Sequence, residues 1–347
     1  MTRQNKRSKL LEASTLIKTL SLRKVLNYAL LLVSYLLSRW AKKAIHWGNP
    51  WSIAIEPTTS CNLRCPECPS GLRSFSRPTG MLEKERFENL IREIAPDLAY
   101  LTFYFQGEPF LNPAFLDMVT IACRYGIYTS TSTNAHYLKE EIARKTVQSG
   151  LHRIIISLDG TDQATYEKYR IGGDFEKVIE GTRNLIRMKK ELKSQTPHII
   201  FQFLVVRHNE HQIDDLYSLA SELGVDEVKL KTAQIYDFEN GSDLIPVQDK
   251  FSRYERKQDG RFKIKNPLLN HCWQMWHSCV VTWDGKVVPC CFDKDASHSL
   301  GETGSVSFNR IWKSPEYHAF RASVLKSRSE IDICTNCTEG TTVWATA

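Results

Sequence analysis

Strand-like and helix-like patterns alternate along residues 51–231. Short runs rich in β-branched and aromatic residues predict six strands, at 51–56, 98–105, 128–132, 153–157, 198–206 and 227–231. Apolar residues at helical spacing predict the helices between these strands, at 82–94, 113–125, 140–149, 175–192 and 212–223. Several of these helices end at glycine, as helix C-termini often do.

Six β-α repeats predict a parallel sheet with right-handed crossovers, and therefore an α/β fold. Six is too few for a closed eight-stranded barrel, so we expect a partial (β/α)6 barrel. In such folds the chemistry lies at the C-terminal ends of the strands. Polar motifs directly follow several of the predicted strands, which makes this edge of the sheet the expected place for a site.

The patterning divides the chain into four parts. Residues 1–47 form a basic amphipathic arm, and residues 48–236 hold the predicted barrel. Residues 237–265 are polar and poorly periodic, which predicts a linker. Residues 266–347 form a small cysteine-rich domain, in which the sequence VVTWDGKVVPCC predicts a β-hairpin that turns at its Asp-Gly pair.

The arm contains an apolar run over residues 25–37 with basic residues on both sides. About 20 apolar residues are needed to span a bilayer, so this run is too short, and no small-residue cleavage site of a signal peptide follows it. A basic amphipathic helix in a membrane interface fits the run, and so does a helix packed on the barrel or on a partner. We therefore expect either peripheral membrane contact through residues 23–43 or such packing. A mostly polar stripe lies opposite the apolar residues and consists of Lys24, Asn27, Leu31, Ser34, Ser38 and Lys42.

Composition and charge narrow the class of protein. Of 347 residues, 42% are hydrophobic and 24% are charged, which excludes disordered and fibrous proteins. The net charge of +7 is concentrated in residues 1–43, which carry ten basic side chains and one acid. The other 304 residues carry 36 basic and 38 acidic side chains, so the main body lacks a nucleic-acid footprint and we expect no nucleic-acid partner.

Ten cysteines occur in the chain, most of them in tight clusters. Nothing in the sequence indicates export, so we expect a cytoplasmic protein, associated with a membrane if the arm binds one. In a reducing compartment, clustered cysteines favour metal or redox sites over structural disulfides.

The first cluster directly follows the first predicted strand, in the sequence TTSCNLRCPECPSG. Cys61, Cys65 and Cys68 have C-x3-C-x2-C spacing. Three thiolates in one loop can ligate three irons of a cubane and leave the fourth iron open to an external ligand. A structural zinc site is the alternative, but it usually takes four protein ligands in paired C-x2-C spacing.

This loop, placed after the first strand of six β/α units, resembles that of the radical S-adenosylmethionine (radical SAM) superfamily. The resemblance implies a [4Fe–4S] cluster on Cys61, Cys65 and Cys68, whose open iron chelates the amino and carboxylate groups of S-adenosylmethionine. It also implies that an electron from the reduced cluster breaks a carbon–sulfur bond and yields methionine and a 5′-deoxyadenosyl radical.

Two further motifs strengthen the resemblance. The sequence FQGEP after the second strand is similar to the family's GGEP motif, with Gly107 and Glu108 in place and Gln106 at the first glycine. The resemblance places Glu108 at the methionine amine. The third strand ends in S-T-N-A, where the family often has T-N-G, and this places Asn134 at the cofactor.

The fourth strand ends in ISLDGT, and the resemblance places Ser157 and Asp159 at the cofactor and Arg170 at the methionine carboxylate. Guanidinium–carboxylate pairing suits that role. Without the resemblance, the Asp-Gly pair would simply be a turn and Arg170 a solvated helix residue. Asn209, after the fifth strand, is a weaker candidate because it could equally cap the next helix.

The cysteine-rich domain holds a second cluster, which consists of Cys272, Cys279, Cys290, Cys291, Cys334 and Cys337. Its beginning resembles the SPASM/Twitch extension of radical SAM enzymes, C-x(9–15)-G-x4-C, with Gly285 as the glycine and a variable gap of 12 residues. The longer cysteine run of a full SPASM domain is missing from the sequence. The resemblance therefore implies the shortened form, with one auxiliary [4Fe–4S] cluster.

We choose four ligands for this cluster: Cys272, Cys290, Cys334 and Cys337. The first two come from a loop and the hairpin, and the other two form a C-x2-C pair that can close a site with them. Cys279 could replace one of them or be a bystander, and Cys291 points away from Cys290 along the strand. A zinc ribbon on the same cysteines is the alternative.

These parts predict a radical SAM oxidoreductase that abstracts a hydrogen atom from an unreactive carbon, with flavodoxin or ferredoxin as the electron donor. The auxiliary cluster would accept an electron from the substrate, position it or relay electrons. We expect an oxidative modification of a small molecule, a sugar or a lipid-linked glycan, and the arm favours the lipid-linked or glycan substrate. A peptide or protein maturase of the same superfamily is the alternative, and a non-catalytic zinc or iron–sulfur binding protein is a second one.

Overall fold

The computed structural model describes residues 3–340, so the parts of the predicted arm and C-terminal domain at residues 1–2 and 341–347 lie outside the described residues. The described strands are β1 (Ser52–Ile55), β2 (Tyr100–Phe103), β3 (Tyr128–Thr133), β4 (Arg153–Ser157), β5 (His198–Val205), β6 (Glu227–Thr232), β7 (Tyr254–Arg256), β8 (Phe262–Ile264), β9 (Ser278–Val281) and β10 (Val287–Val288). The described α-helices are α1 (Arg3–Lys18), α2 (Leu22–Ala41), α3 (Pro69–Leu72), α4 (Lys84–Ile94), α5 (Phe115–Arg124), α6 (Glu140–Gln148), α7 (Gln163–Tyr169), α8 (Phe175–Glu191), α9 (Ile213–Leu223), α10 (Gln274–His277), α11 (Phe308–Trp312) and α12 (Pro315–Ser327).

Eight strands form one sheet in the order β10-β9-β1-β2-β3-β4-β5-β6. β1 to β6 are parallel neighbours in chain order, with Ser52 beside Tyr100 at the first pair. The three consecutive isoleucines of β4 are all buried, as expected for a strand covered on both faces. The predicted α/β fold with six parallel strands is confirmed.

The elements differ from their predicted bounds mainly at the ends. The predicted strand at 98–105 is paired only over β2, because the chain beyond Phe103 leaves the ladder to form the loop that carries Gly107. α7 is an additional helix that the periodicity did not predict. Asp162 caps it by accepting a hydrogen bond from the Thr165 N–H at 2.8 Å, and such a cap stabilises a short helix.

α1 lies against the N-terminal ends of β4, β5 and β6. Lys9 forms an ion pair with Glu227 at 2.8 Å, Glu12 contacts Arg153, and the Ser8 hydroxyl lies 3.1 Å from His198 Nδ1. Among the described residues, no single helix is long and apolar enough to cross a membrane. Residues 8–18 and α2 together would pass that test on length and composition, with a 99° bend between them.

The predicted hairpin of the C-terminal domain is β9 and β10, which turn at Asp284 and Gly285. β9 pairs in parallel with β1, so the hairpin extends the barrel sheet. This pairing satisfies the backbone groups of β1, which would otherwise be an open sheet edge. The predicted linker, 237–265, contains the two-stranded antiparallel sheet β7-β8. The domain boundaries remain a prediction, since one hydrophobic cluster contains both Ile53 of the barrel and Trp276 of the C-terminal part.

Candidate active site

The three cysteines of the first motif lie in the loop that follows the C-terminal end of β1. None of them is disulfide-bonded, and Cys65 is buried. The Leu63 N–H donates to Cys61 Sγ at 3.4 Å, and Arg170 Nη1 lies 3.7 Å from Cys65 Sγ. Burial raises the pKa of the Cys61 thiol to about 12, so a metal that binds there would displace a proton.

A buried ion pair holds the segment that follows the three cysteines against the end of β1. The Arg77 guanidinium donates to both carboxylate oxygens of Glu56, at 2.6 and 2.8 Å, and neither side chain is exposed to any extent. Glu56 also accepts from the Trp283 N–H at 3.3 Å. The cysteine loop is thereby tied to the hairpin of the C-terminal domain.

Gly107 lies directly against the cysteine loop. Its φ is +75°, and a Cβ at this position would stand 2.2 Å from the Thr58 carbonyl oxygen, so only glycine fits without displacing the backbone. The Gly107 N–H donates to Ser70 Oγ at 2.9 Å, and the Glu108 N–H donates to the Ser60 carbonyl at 2.8 Å. These contacts hold Glu108 in a fixed position beside the cysteine loop.

The Glu108 carboxylate is buried and accepts three hydrogen bonds. Its donors are the Thr133 hydroxyl at 2.8 Å, the Asn134 N–H at 2.8 Å and the Phe110 N–H at 3.3 Å. Burial nevertheless raises the pKa of Glu108 to about 7, because desolvation of the charge outweighs these hydrogen bonds. A cationic ligand group would favour the charged form.

Asn134 directly follows β3, and Ser157 ends the neighbouring strand β4. The Asn134 Nδ2 donates to Asn62 Oδ1 of the cysteine loop at 2.8 Å. Ser157 is buried, and its hydroxyl lies 3.5 Å from that of Ser132. Both predicted residues are therefore at the C-terminal edge of the sheet, and Asn134 contacts the cysteine loop.

Asp159 and Arg170 form an ion pair in which Asp159 is buried and Arg170 is partly buried. Arg170 Nε donates to Asp159 Oδ2 at 2.5 Å, while Asp159 Oδ1 accepts from the Leu204 N–H at 2.7 Å. Asp159 is fully buried, so the alternative of a surface turn and a solvated arginine does not describe these residues. The Asn209 side chain makes no capping hydrogen bond to the short helix that follows it; it donates to the carbonyls of Leu204 and Asp159.

Asn62, Ser70 and Gln106 contact the site although the sequence did not assign them to it. Asn62 accepts from Asn134, Ser70 accepts from Gly107, and Gln106 accepts a weak hydrogen bond from the Cys68 thiol at 3.9 Å. The partners of Asn62 and Ser70 are 72 and 37 residues away in the chain. Of these three residues, only Gln106 could have been noticed in the sequence, because it replaces the first glycine of the family's motif.

The donor set fits the cofactor that the motif implies. Three free thiols share one loop, which suits a cluster with one open iron. A buried carboxylate at Glu108 suits an ammonium group, and the Arg170 guanidinium suits a carboxylate. The predicted residues of the barrel thus meet at one edge of the sheet.

Three cysteines of the second cluster, Cys272, Cys334 and Cys337, lie around Arg328, which is fully buried. Arg328 Nη2 lies 3.1 Å from Cys337 Sγ, and its Nη1 donates to the carbonyl beside Cys272 at 3.2 Å. Cys272, Cys334 and Cys337 are all buried, and burial raises the pKa of the Cys272 thiol. A Cβ on Gly340 would stand 2.3 Å from Cys272 Sγ, so the chain needs glycine where it crosses this site.

The remaining cysteines of this region differ in their surroundings. Cys290 is half-buried, and burial raises the pKa of its thiol, with further contributions from Cys291, Cys272 and Cys337. Cys291 is exposed. Cys279 is buried on β9 beside the Tyr317 hydroxyl. This arrangement is compatible with the four chosen ligands and with Cys279 as a core residue; the ligand set remains a prediction.

Two family models match the chain. Residues 55–220 match the radical SAM superfamily, and residues 272–338 match SPASM, an iron–sulfur cluster-binding domain. Together with the sheet and the cysteine loop, these matches define the class, and the chain belongs to the radical SAM superfamily.

Within that class, the chain is an enzyme with a C-terminal SPASM domain. It therefore uses S-adenosylmethionine with a [4Fe–4S] cluster and has an auxiliary iron–sulfur domain. These predictions of family, fold and cofactors are confirmed.

The relatives of the chain differ in what they modify. It is 25% identical over 318 residues to the tungsten-containing aldehyde ferredoxin oxidoreductase cofactor-modifying protein of Pyrococcus furiosus, covering 82% of this chain and 86% of that protein. It is 24% identical over 294 residues to the PqqA peptide cyclase of Gluconobacter oxydans, covering 79% and 80%. The fold is similar to that of native anSMEcpe with bound AdoMet, with a TM-score of 0.61, 17% identity and coverage of 84% and 89%.

Proposed function

We propose that this enzyme cleaves S-adenosylmethionine at Cys61, Cys65 and Cys68 and uses the radical to abstract hydrogen from a substrate carbon. The observation that carries the proposal is the meeting of three free thiols with a buried carboxylate, Glu108, and a partly buried cation, Arg170. A [4Fe–4S] cluster bound there supplies the electron that breaks the carbon–sulfur bond.

The surrounding residues would bind and orient the cofactor. Glu108 would accept the methionine ammonium, and Arg170 would pair with the methionine carboxylate while it remains bonded to Asp159. Asn134 and Ser157 would contact the cofactor from the neighbouring strand ends. Their burial excludes water from the place where the radical forms, which prevents its loss to solvent.

The second proposed site consists of Cys272, Cys290, Cys334 and Cys337. A cluster bound there would accept the electron that the substrate radical loses, so that the net reaction is an oxidation. Arg328 would partly neutralise the negative charge of the thiolates, since it contacts Cys337 directly. The other free thiols, Cys279 and Cys291, take no part in this proposal.

For the substrate we propose a small molecule, a sugar or a lipid-linked glycan. A peptide is the second candidate, and the observation that favours it is the similarity to a PqqA peptide cyclase. For partners we propose a flavodoxin or ferredoxin as the electron donor and peripheral membrane contact through residues 23–43. Incubating the reduced enzyme with each substrate class and analysing the products by mass spectrometry would separate the two candidates.

The cluster assignment is tested by anaerobic reconstitution with iron and sulfide. We expect about eight irons per wild-type chain, as for two [4Fe–4S] clusters, and about four after Cys61, Cys65 and Cys68 are replaced by alanine. Replacing Cys334 and Cys337 should also leave about four irons while cleavage of S-adenosylmethionine persists. Cys123→Ala is the matched control and should retain all the iron; bound zinc in the second site would refute the auxiliary cluster there.

A further inference from the structure

The helix α2 packs against the protein with its polar side. Lys24 Nζ donates to the Gly126 carbonyl at 2.5 Å, and Asn27 Nδ2 donates to the Asn49 carbonyl at 2.9 Å. Further along, the Tyr35 hydroxyl lies 2.9 Å from His271 Nδ1 and Ser38 Oγ donates to the Ile45 carbonyl. Apart from Lys42, the polar stripe is thus the buried side of the helix, the reverse of an ordinary surface helix.

The opposite side of α2 is an exposed apolar face, which we call the outer face. Leu22 is 75% exposed, Leu26 56% and Trp40 84%. A continuous apolar surface of this kind marks an interaction site in a folded protein. The outer face consists of Leu22, Val25, Leu26, Leu30, Val33, Leu36, Leu37 and Trp40.

The charges that α2 and its flanking residues carry are of one sign, and Arg23 at its N-terminal end is paired with Asp97. Arg39, Lys42 and Lys43 are exposed at its C-terminal end, and no acidic residue occurs between residues 13 and 50. Trp47 is also exposed beyond the helix, and tryptophan is enriched where a membrane meets water. A bare apolar stripe bordered by cations and tryptophan complements an anionic lipid surface.

The hydrogen bonds between α2 and the rest of the protein restrict the orientation in which this helix can bind a bilayer. A transmembrane orientation would require Lys24 and Asn27 to leave their partners and enter hydrocarbon, which is costly. Lying in the membrane plane keeps every inward hydrogen bond and buries only the outer face. We infer that the outer face of α2 inserts, parallel to the membrane plane, into the interface of an anionic bilayer.

The same contacts orient the active site. The carbonyls that receive Lys24 and Asn27, at Gly126 and Asn49, directly precede β3 and β1, so α2 lies at the N-terminal edge of the sheet. The cysteine loop and Glu108 lie at the opposite, C-terminal edge. The membrane-bound enzyme would therefore present its catalytic edge to the aqueous phase.

The test is co-sedimentation of the full-length, anaerobically reconstituted enzyme with vesicles. The probes are phosphatidylcholine vesicles with and without about one third phosphatidylglycerol. We expect the wild type to sediment with the anionic vesicles. The double variant Leu30→Glu and Val33→Glu should bind about tenfold more weakly or worse, because both side chains would carry charge into the apolar layer.

The double variant Lys42→Gln and Lys43→Gln isolates the electrostatic contribution. It should lose about fivefold in binding for each charge removed on anionic vesicles and change little on neutral ones. Tyr217→Glu is the matched control, since it places a glutamate at a similarly exposed apolar residue of α9. It should bind as the wild type does.

Iron content and cleavage of S-adenosylmethionine establish that each variant is folded, and both should equal the wild type because the outer face contacts no part of the active site. Wild-type protein that stays in the supernatant with anionic vesicles would overturn the inference. So would a lipid-free dimer that the Leu30→Glu and Val33→Glu variant dissociates, since the outer face would then bind a second copy. Neither result would affect the proposed cleavage reaction.

Discussion

At the residue scale, Glu108 is the group whose protonation state the site depends on most. Its carboxyl is buried among the N–H and hydroxyl donors of β3 and the following turn, yet burial raises its pKa to about 7. The proposed ligand group is an ammonium, which needs the charged carboxylate. Affinity for S-adenosylmethionine should therefore be lost as the pH falls through this pKa.

We expect the dissociation constant for S-adenosylmethionine to rise by up to about tenfold for each pH unit below about 7, because each unit costs one further factor of ten in carboxylate. Anaerobic equilibrium binding between pH 6 and 8 measures this. Glu108→Gln should bind weakly and without this pH dependence. An equal pH dependence in the variant would show that another group is responsible.

The residues of the site were predictable to different degrees. The cysteines and Glu108 were found because short motifs carry them. Arg170 could be assigned to the cofactor site only through the resemblance, because the sequence alone does not reveal that Asp159 is buried beside it. Ser70 and Asn62 were not found, because their hydrogen bonds join parts of the chain that only the fold brings together.

At the scale of elements, the cysteine loop depends on the close approach of Gly107. Gly107→Ala would place a Cβ 2.2 Å from the Thr58 carbonyl and should displace the loop. We expect loss of cluster iron and of S-adenosylmethionine binding. Gly126→Ala is the matched control: its φ is also positive, but a Cβ there meets no atom within 4 Å. Equal losses in both variants would mean that backbone strain, and not the contact with the loop, is the cause.

The ion pair of Glu56 and Arg77 also holds the cysteine loop in place. Arg77→Met would leave the Glu56 carboxylate buried and uncompensated, and should lower the free energy of unfolding by about 3–5 kcal/mol. Chemical denaturation followed by circular dichroism measures this. Lys84→Met breaks the exposed pair with Asp117 and should cost less than about 1 kcal/mol. Similar losses in the two variants would contradict the structural role given to Arg77.

Six of the eight strands of the main sheet were predicted from hydrophobic runs of the right length, and the other two, β9 and β10, were predicted as a hairpin that turns at an Asp-Gly pair. The pairing order of β1 to β6 followed from the β-α repeat. The pairing of β9 with β1 did not, because it joins residues more than two hundred positions apart and no local pattern encodes it. The burial of the polar side of α2 was missed for the same reason, since its partners lie on distant loops.

At the scale of the whole molecule, the two cysteine regions are connected through contacts between the barrel and the C-terminal domain. Glu67, between two cysteines of the first loop, accepts from the Tyr236 N–H at 2.9 Å. The Tyr236 hydroxyl in turn lies 3.0 Å from Lys294 Nζ, close after Cys291 in the chain. The two sites are therefore held in one structure and not on independent domains.

The buried Arg328 should set the reduction potential of the auxiliary site. Arg328→Gln removes a positive charge that lies 3.1 Å from Cys337 Sγ. Loss of this charge destabilises the reduced cluster, which is more negative than the oxidised one. We expect a more negative potential in a redox titration followed by electron paramagnetic resonance, with Arg328→Lys close to the wild type. Lys326→Gln, on the surface of α12, is the control and should leave the potential unchanged.

Reductive cleavage of S-adenosylmethionine tests the central claim most directly. The reconstituted enzyme, reduced with dithionite under strict anaerobiosis, should release methionine and 5′-deoxyadenosine, and Cys65→Ala should release neither. Cys279→Ala should retain cleavage, because that thiol lies in the core on β9. A wild-type chain with its first cluster intact and reduced that forms no 5′-deoxyadenosine would contradict the account.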